Sequence, residues 1–185
     1  MILNDSILFL VLGFLTLSVA LNFWLTFRLM GTVRRLPMAQ GETAPPLSPG
    51  TVLTDVSLDR ITDQSKVTLS TYPEHAKVLV FLNSKCTHCQ ATLPELRAAV
   101  QKSHDLGVLI WIVSTEKRAR MKSFLQDEAL LGTTLRASEA TFEYLNPQGA
   151  FPYYLFVDAE HTVQAEGMLG DENWGNFMEQ LQQGG

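Results

Sequence analysis

Five consecutive residues, Val78-Leu79-Val80-Phe81-Leu82, are β-branched, leucine or aromatic. An extended chain sends successive side chains to opposite faces, so an unbroken apolar run of this kind belongs in a sheet covered on both sides. Asn83-Ser84-Lys85 ends the run, and a helical pattern follows from Cys86 to about His104 with Leu93, Leu96 and Val100 on one face. A second buried run, Val108–Val113, starts after Gly107. Parallel strands require a crossover, usually helical, so the two runs read as parallel neighbours. Ahead of them, Val52–Leu58 and Lys66–Leu69 read as short strands around a polar turn at Asp59–Ser65. Behind them, Thr115 is placed to cap a charged helix reaching about Leu130, and Ser138–Leu145 reads as a shorter helix. Tyr153–Val157, a turn at Ala159–His161 and Thr162–Met168 make a closing hairpin. Asp171 then opens an amphipathic helix displaying Trp174, Phe177, Met178 and Leu181. The expected fold is α/β, with a central mixed sheet flanked by helices.

The rest of the chain is a different material. Ile7–Phe27 is a 21-residue run without an ionisable side chain. About 20 apolar residues suffice for a helix to cross a bilayer, so the run reads as a single transmembrane helix with Trp24 and Arg28 at its interfacial end. A cleaved signal peptide is the rival, with small residues at Ser18-Val19-Ala20. Against it stand Asp5, the lack of Lys or Arg ahead of the run, and the apolar residues beyond Ala20. From Gly31 to Gly50, Pro37, Pro45, Pro46 and Pro49 indicate an extended tether. The expected organisation is therefore an anchor over 1–30, a linker over 31–50 and one globular domain over 51–185. Without Asp5, Arg28, Arg34 and Arg35, the chain's 14 basic and 19 acidic residues leave about −7 for the remainder. That charge argues against a nucleic-acid partner, which needs a basic face.

The only two cysteines, Cys86 and Cys89, flank Thr87-His88 where the buried strand turns into a helix. Unpaired amides and the positive end of the helix dipole stabilise a thiolate at that place, which makes Cys86 the attacking sulfur. Cys89, one turn on and further inside, is the resolving one. Lys85 and His88 add positive charge beside the thiolate and favour the reduced form, so the disulfide leans towards being an oxidant. Zinc is disfavoured, because no second cysteine pair exists and His75, His104 and His161 are scattered singly. A purely structural disulfide between such near neighbours would constrain little chain. No metal or cofactor is expected. Glu116, Lys117, Arg118, Arg120 and Lys122 read as a solvated helix face. Phe151-Pro152 stands where a loop enters a strand, a position that tolerates proline and accommodates a cis bond.

Three features together resemble the thioredoxin superfamily: Phe81 to Cys89, the helix proline Pro94 five residues beyond Cys89, and Phe151-Pro152 before a strand. Within it, the amino-terminal run and Pro152-Tyr153 followed by Leu155, Asp158, Val163, Ala165 and Gly167 resemble the membrane-tethered TlpA-like branch, nearest to the MauD type of methylamine-utilisation accessory proteins. The resemblance implies a thioredoxin fold, Cys86 and Cys89 as the redox pair, and Pro152, preceded by Phe151, as a cis-proline shaping the substrate groove. The sequence departs from the pattern at Thr87, where the branch usually has proline. It departs from thioredoxins themselves at Lys85, in place of tryptophan, and at Val80, in place of a buried acid.

The expected function is a membrane-tethered thiol–disulfide oxidoreductase that forms, isomerises or reduces disulfides in exported protein clients and exchanges electrons with a redox partner protein. The alternative is a non-catalytic docking or metal-delivery module. Arg28, Arg34 and Arg35 follow the apolar run and by the positive-inside rule place the domain in the cytoplasm. The cysteine pair favours the opposite, extracytoplasmic side of the cell membrane, where disulfides persist.

Overall fold

The computed structural model describes residues 12–19, 21–24, 46–54, 56–103 and 106–184. The chain divides into two units, Met1–Thr43 and Ala44–Gly185, each described by itself. In the first, residues 12–19 and 21–24 are helical and exposed, Phe14 at 75% and Leu17 at 68%. No helix among the described residues is long and apolar enough to cross a membrane. The ends of the expected 7–27 span, and residues 31–45 of the expected linker, lie outside the described residues.

The second unit is built on one seven-stranded sheet. In chain order its elements are β1 (Ser57–Arg60), β2 (Lys66–Thr68), β3 (Ala76–Phe81), α1 (Thr87–Ser103), β4 (Val108–Ser114), α2 (Arg118–Leu125), α3 (Glu128–Gly132), β5 (Thr134–Arg136), α4 (Glu139–Leu145), β6 (Tyr153–Val157), β7 (Val163–Met168) and α5 (Glu172–Gln183). The strands lie in the order β2-β1-β5-β4-β3-β6-β7. β3 runs parallel to β4, from Ala76 opposite Val108 to Phe81 opposite Val113, and antiparallel to β6. This is a thioredoxin-like α/β fold with a mixed sheet.

Alternation along β3 divides the core. Leu79 and Phe81 enter one buried cluster with Trp111, Val113, Leu155 and, from α4, Phe142 and Leu145. Val78, Val80 and Leu82 enter the other with Ile110, Ile112, Leu93 and Leu96 of α1, and Trp174 of α5. A central strand with helices on both faces requires apolar residues at every position, which explains the run Val78–Leu82. Asp171 opens its helix as expected, accepting from the Trp174 amide at 2.8 Å, and Ser138 caps α4 by accepting from the Thr141 amide. Tyr154 also donates to Asp171, at 2.9 Å, and a Cβ on Gly167 would collide with that carboxylate. Trp174 Nε1 donates to Glu95 Oε1 at 2.8 Å, joining α5 to α1.

Three expectations are corrected. Val52–Leu58 is not one strand: Val52 makes an isolated bridge to Thr162, and β1 starts only at Ser57. Leu53, Val56 and Leu58 all enter the same cluster, and residues three apart cannot share a face of a period-two strand, so the chain breaks between them. The helix expected from Thr115 to Leu130 is two. It starts at Arg118 after Lys117, ends where Gln126 turns left-handed (φ 49°), and restarts with Asp127 accepting from the Leu130 amide. Met121 and Leu125 lie four apart on the buried stripe, whereas Leu130 and Leu131 are out of phase with it; the break brings them back onto the core. β5 was not anticipated. It is three residues long and is held between β4 and β1 by pairing on both sides.

Candidate active site

The site lies where two loops meet at one end of the sheet. The first leaves β3. Asn83 shapes it twice, its Oδ1 accepting from the Lys85 amide (2.9 Å) and its carbonyl from the Cys86 amide (3.0 Å). Cys86 stands immediately before the first residue of α1 and acts as its cap. Its carbonyl accepts from the Gln90 amide at 3.2 Å, and its Sγ accepts from the Cys89 amide at 3.1 Å. The sulfur thus takes the place a serine or aspartate oxygen occupies in an ordinary N-cap, against amides that are otherwise unpaired. Cys89, Leu93, Leu96 and Ser103 belong to the buried stripe of α1; Cys86, three residues earlier on the same side, stays half-buried because it sits at the open amino-terminal end of the helix. Burial first, and then the hydrogen bond with Cys86, push the Cys89 thiol up to about 12. Both cysteines are free thiols in this structure.

The second loop leads into β6. Asn146, 1% exposed, closes it: its Nδ2 donates to the Ala150 carbonyl (2.9 Å) and its Oδ1 accepts from the Ala150 amide (3.1 Å). Phe151 stacks on Phe142 at 5.8 Å, and the Phe151–Pro152 bond is cis. The Cys86 thiol faces the Phe151 carbonyl oxygen at 3.8 Å. Pro152 is buried, and its carbonyl accepts from the Leu169 amide at 3.2 Å.

Cys86, Cys89, Phe151 and Pro152 therefore come together, although the two loops are 65 residues apart in sequence. Lys85 and His88 are both exposed. Two residues that secure the site were not singled out by sequence. Asn146 is one; its signal was the turn-forming Asn-Pro-Gln-Gly. The other is Glu116, expected on a solvated helix face. It precedes α2, its side chain is only 12% exposed, and it accepts from the Ser84 amide (2.9 Å) and the Ser84 hydroxyl (2.7 Å). Nothing in its charged neighbourhood distinguished it. Among the described residues, no group of three or more His, Cys, Asp or Glu is arranged to hold a metal ion.

Residues 49–178 match the model of the AhpC/TSA family. No curated protein sequence matches the chain. Among solved structures, the chain is similar to the thioredoxin domain of a thiol-disulfide oxidoreductase from Bacteroides vulgatus, with TM-score 0.61 and 18% identity over 73% of this chain and 99% of that one. It is similar to a thiol:disulfide interchange protein from Bacteroides sp., with TM-score 0.60 and 18% identity over 74% and 91%. It is also similar to a secreted disulfide oxidoreductase of Mycobacterium tuberculosis, with TM-score 0.53 and 16% identity over 69% and 95%. At these identities the likeness is one of fold.

Proposed function

We propose a function from the premise that the chain belongs to the AhpC/TSA family: it is a thiol–disulfide oxidoreductase that acts on protein clients from a membrane tether. The observation that carries this reading is the Cys86 sulfur capping α1, 3.1 Å from the Cys89 amide and facing the Phe151 carbonyl. In the reducing direction, the Cys86 thiolate attacks one sulfur of a client disulfide, and the client's other sulfur leaves as a thiolate. Cys89 then attacks the Cys86 sulfur of the mixed disulfide, closing the Cys86–Cys89 bond and releasing the client's second sulfur. Two electrons and the Cys89 proton pass to the client; client oxidation is the same sequence reversed. Because Cys89 holds its proton firmly, resolution is the step that waits for proton loss. Backbone edges around Phe151 and Pro152 suit an extended client segment.

Cys89→Ser is expected to accumulate mixed disulfides between Cys86 and specific client proteins, and Cys86→Ser none. Equal capture by both variants rules the exchange mechanism out. A pair that stays oxidised in glutathione buffers down to roughly −300 mV would instead be a structural disulfide in a docking module.

The anchor is part of the proposal. The helical residues at 12–19 and 21–24 expose large apolar side chains, which suits a lipid surrounding. An extracytoplasmic domain is favoured by the redox pair, and it is the side on which a maturation role of the MauD type for an exported protein operates. Labelling Cys86 in intact cells with a membrane-impermeant thiol reagent after mild reduction tests the placement; protection until lysis would put the domain in the cytoplasm.

A further inference from the structure

β3 and β4 are parallel and in register to Phe81 and Val113, with the Leu82 amide donating to the Val113 carbonyl at 3.3 Å. Beyond that point the two chains part, one towards Cys86 and the other towards α2. Backbone pairing stops there, and a side chain continues it. Glu116 Oε2 accepts from the Ser84 amide and Oε1 from the Ser84 hydroxyl. Glu116 is itself held from behind, its amide donating to the hydroxyl of the buried Ser114 at 3.2 Å. Arg120 lies 3.5 Å from Oε1, but it is 57% exposed and neutralises the carboxylate only in part. A fixed negative charge is thus bonded to the residue two before the attacking cysteine, where the exposed Lys85 supplies the opposing positive charge.

We propose that Glu116 is a positioning residue for Cys86. It ties the Asn83–Lys85 turn to the end of β4, so that the Cys86 sulfur stays over the start of α1, and its charge opposes the Cys86 thiolate and makes the pair more reducing. This inference rests on the oxidoreductase reading above.

Its two parts separate by substitution. Glu116→Gln keeps both contacts, since the amide oxygen accepts from the Ser84 amide and the amide nitrogen donates to the Ser84 hydroxyl; only the charge is lost. Glu116→Ala loses contacts and charge together, and Ser84→Ala loses the hydroxyl contact alone. The measurement is the reaction of the full-length chain with glutathione disulfide: the rate of mixed-disulfide formation at Cys86, and the equilibrium constant against glutathione.

Glu116→Ala is expected to slow the reaction about tenfold, because misplacing a reacting group costs rate steeply. Glu116→Gln is expected to restore the rate to within about twofold of wild type, yet to move the equilibrium about threefold to tenfold towards the dithiol, about 30 mV at the upper end. Ser84→Ala should fall between Glu116→Ala and wild type in rate. A Glu116→Ala protein that matches wild type in rate and equilibrium overturns the proposal, as does a Glu116→Gln protein indistinguishable from Glu116→Ala in both. Where Glu116→Ala does not fold, wild-type rate and equilibrium in Glu116→Gln together with wild-type rate in Ser84→Ala overturn it. A wild-type chain that does not exchange with glutathione at all overturns the oxidoreductase reading and this inference with it, and so differs from failure of the inference alone.

Discussion

The loop before Cys86 and the loop before Pro152 face each other across one contact and are held by opposite means. Asn146 secures the Pro152 loop from within, reaching Ala150 only four residues ahead. Glu116 secures the Cys86 loop from the segment that follows another strand, across 32 residues. A local clamp forms with its own turn and is largely a matter of stability. A long-range clamp exists only once β3 and β4 have paired, and it joins the position of the Cys86 sulfur to the integrity of the sheet. The two halves of the site should therefore respond differently to loss of their clamps.

The largest effect is expected on the local side. Asn146→Ala leaves the amide and carbonyl of Ala150 without partners and should cost about 3 kcal/mol of stability, measured by urea unfolding, since each buried unsatisfied group costs roughly 1–3 kcal/mol. Glu116→Ala should cost less, about 1 kcal/mol, because Glu116 is half-buried where Asn146 is buried, and water takes its place more readily. If the Glu116 variant proves the less stable of the two, the contrast between the clamps is broken.

Gly167→Ala comes next and probes the far side of β6. The new methyl meets the Asp171 carboxylate that receives Tyr154 and caps α5, and the expected cost is about 2 kcal/mol in a thermal or urea melt. The rate of mixed-disulfide formation at Cys86 should stay within about twofold of wild type, since neither clamp is touched. A large loss of rate would tie the α5 cap to the site.

Combining Asn146→Ala with Glu116→Ala sharpens the comparison further. Their stability costs should add to within about 0.5 kcal/mol if the clamps are independent. The rate losses should not add, because both substitutions loosen the same approach of Cys86 to Phe151.

The smallest effect is a pH slope. The Cys89 thiol is pushed up from 9.0 to about 12, so above pH 9 the unfolded chain sheds a proton that the folded chain keeps. Stability contributed by the neutral thiol is complete below pH 9 and is lost as pH rises towards 12. Burial raises Tyr153 and Tyr154 as well, with the hydrogen bond to Asp171 adding to it for Tyr154, which extends the decline with the same sign. In the dithiol form, Cys89→Ala should flatten the early part of the slope when unfolding free energy is followed between pH 8 and 11; an unchanged slope would place Cys89 in a wetter setting.

Legibility followed the range of the interaction. β3, α1, β4 and α5 were readable because their patterns are periodic and their caps local: Asp171 is followed by its helix, and Val78–Leu82 carries its own evidence of double burial. The placement of the two cysteines was legible for the same reason, since the strand-to-helix turn puts Cys86 at the helix's amino-terminal end and Cys89 one turn further in. β5 and the α2–α3 break were not, because Thr134–Arg136 has no strand pattern of its own and becomes a strand only between β4 and β1. Glu116 was misread because a carboxylate in a charged segment looks the same whether it meets water or an amide.

Local pattern alone specifies the α/β class, the central strand, the helix-capping position of Cys86 and the depth of Cys89, since each depends on side-chain period or on neighbours within a turn or two. The facing of Cys86 by the Phe151 carbonyl, the closing of that loop by Asn146 and the withdrawal of Glu116 from solvent to hold Ser84 come from packing between distant segments. These depend on the parallel pairing of β3 with β4 and the antiparallel pairing of β3 with β6. That pairing sets distances between residues 32 and 65 positions apart, which local propensity cannot encode.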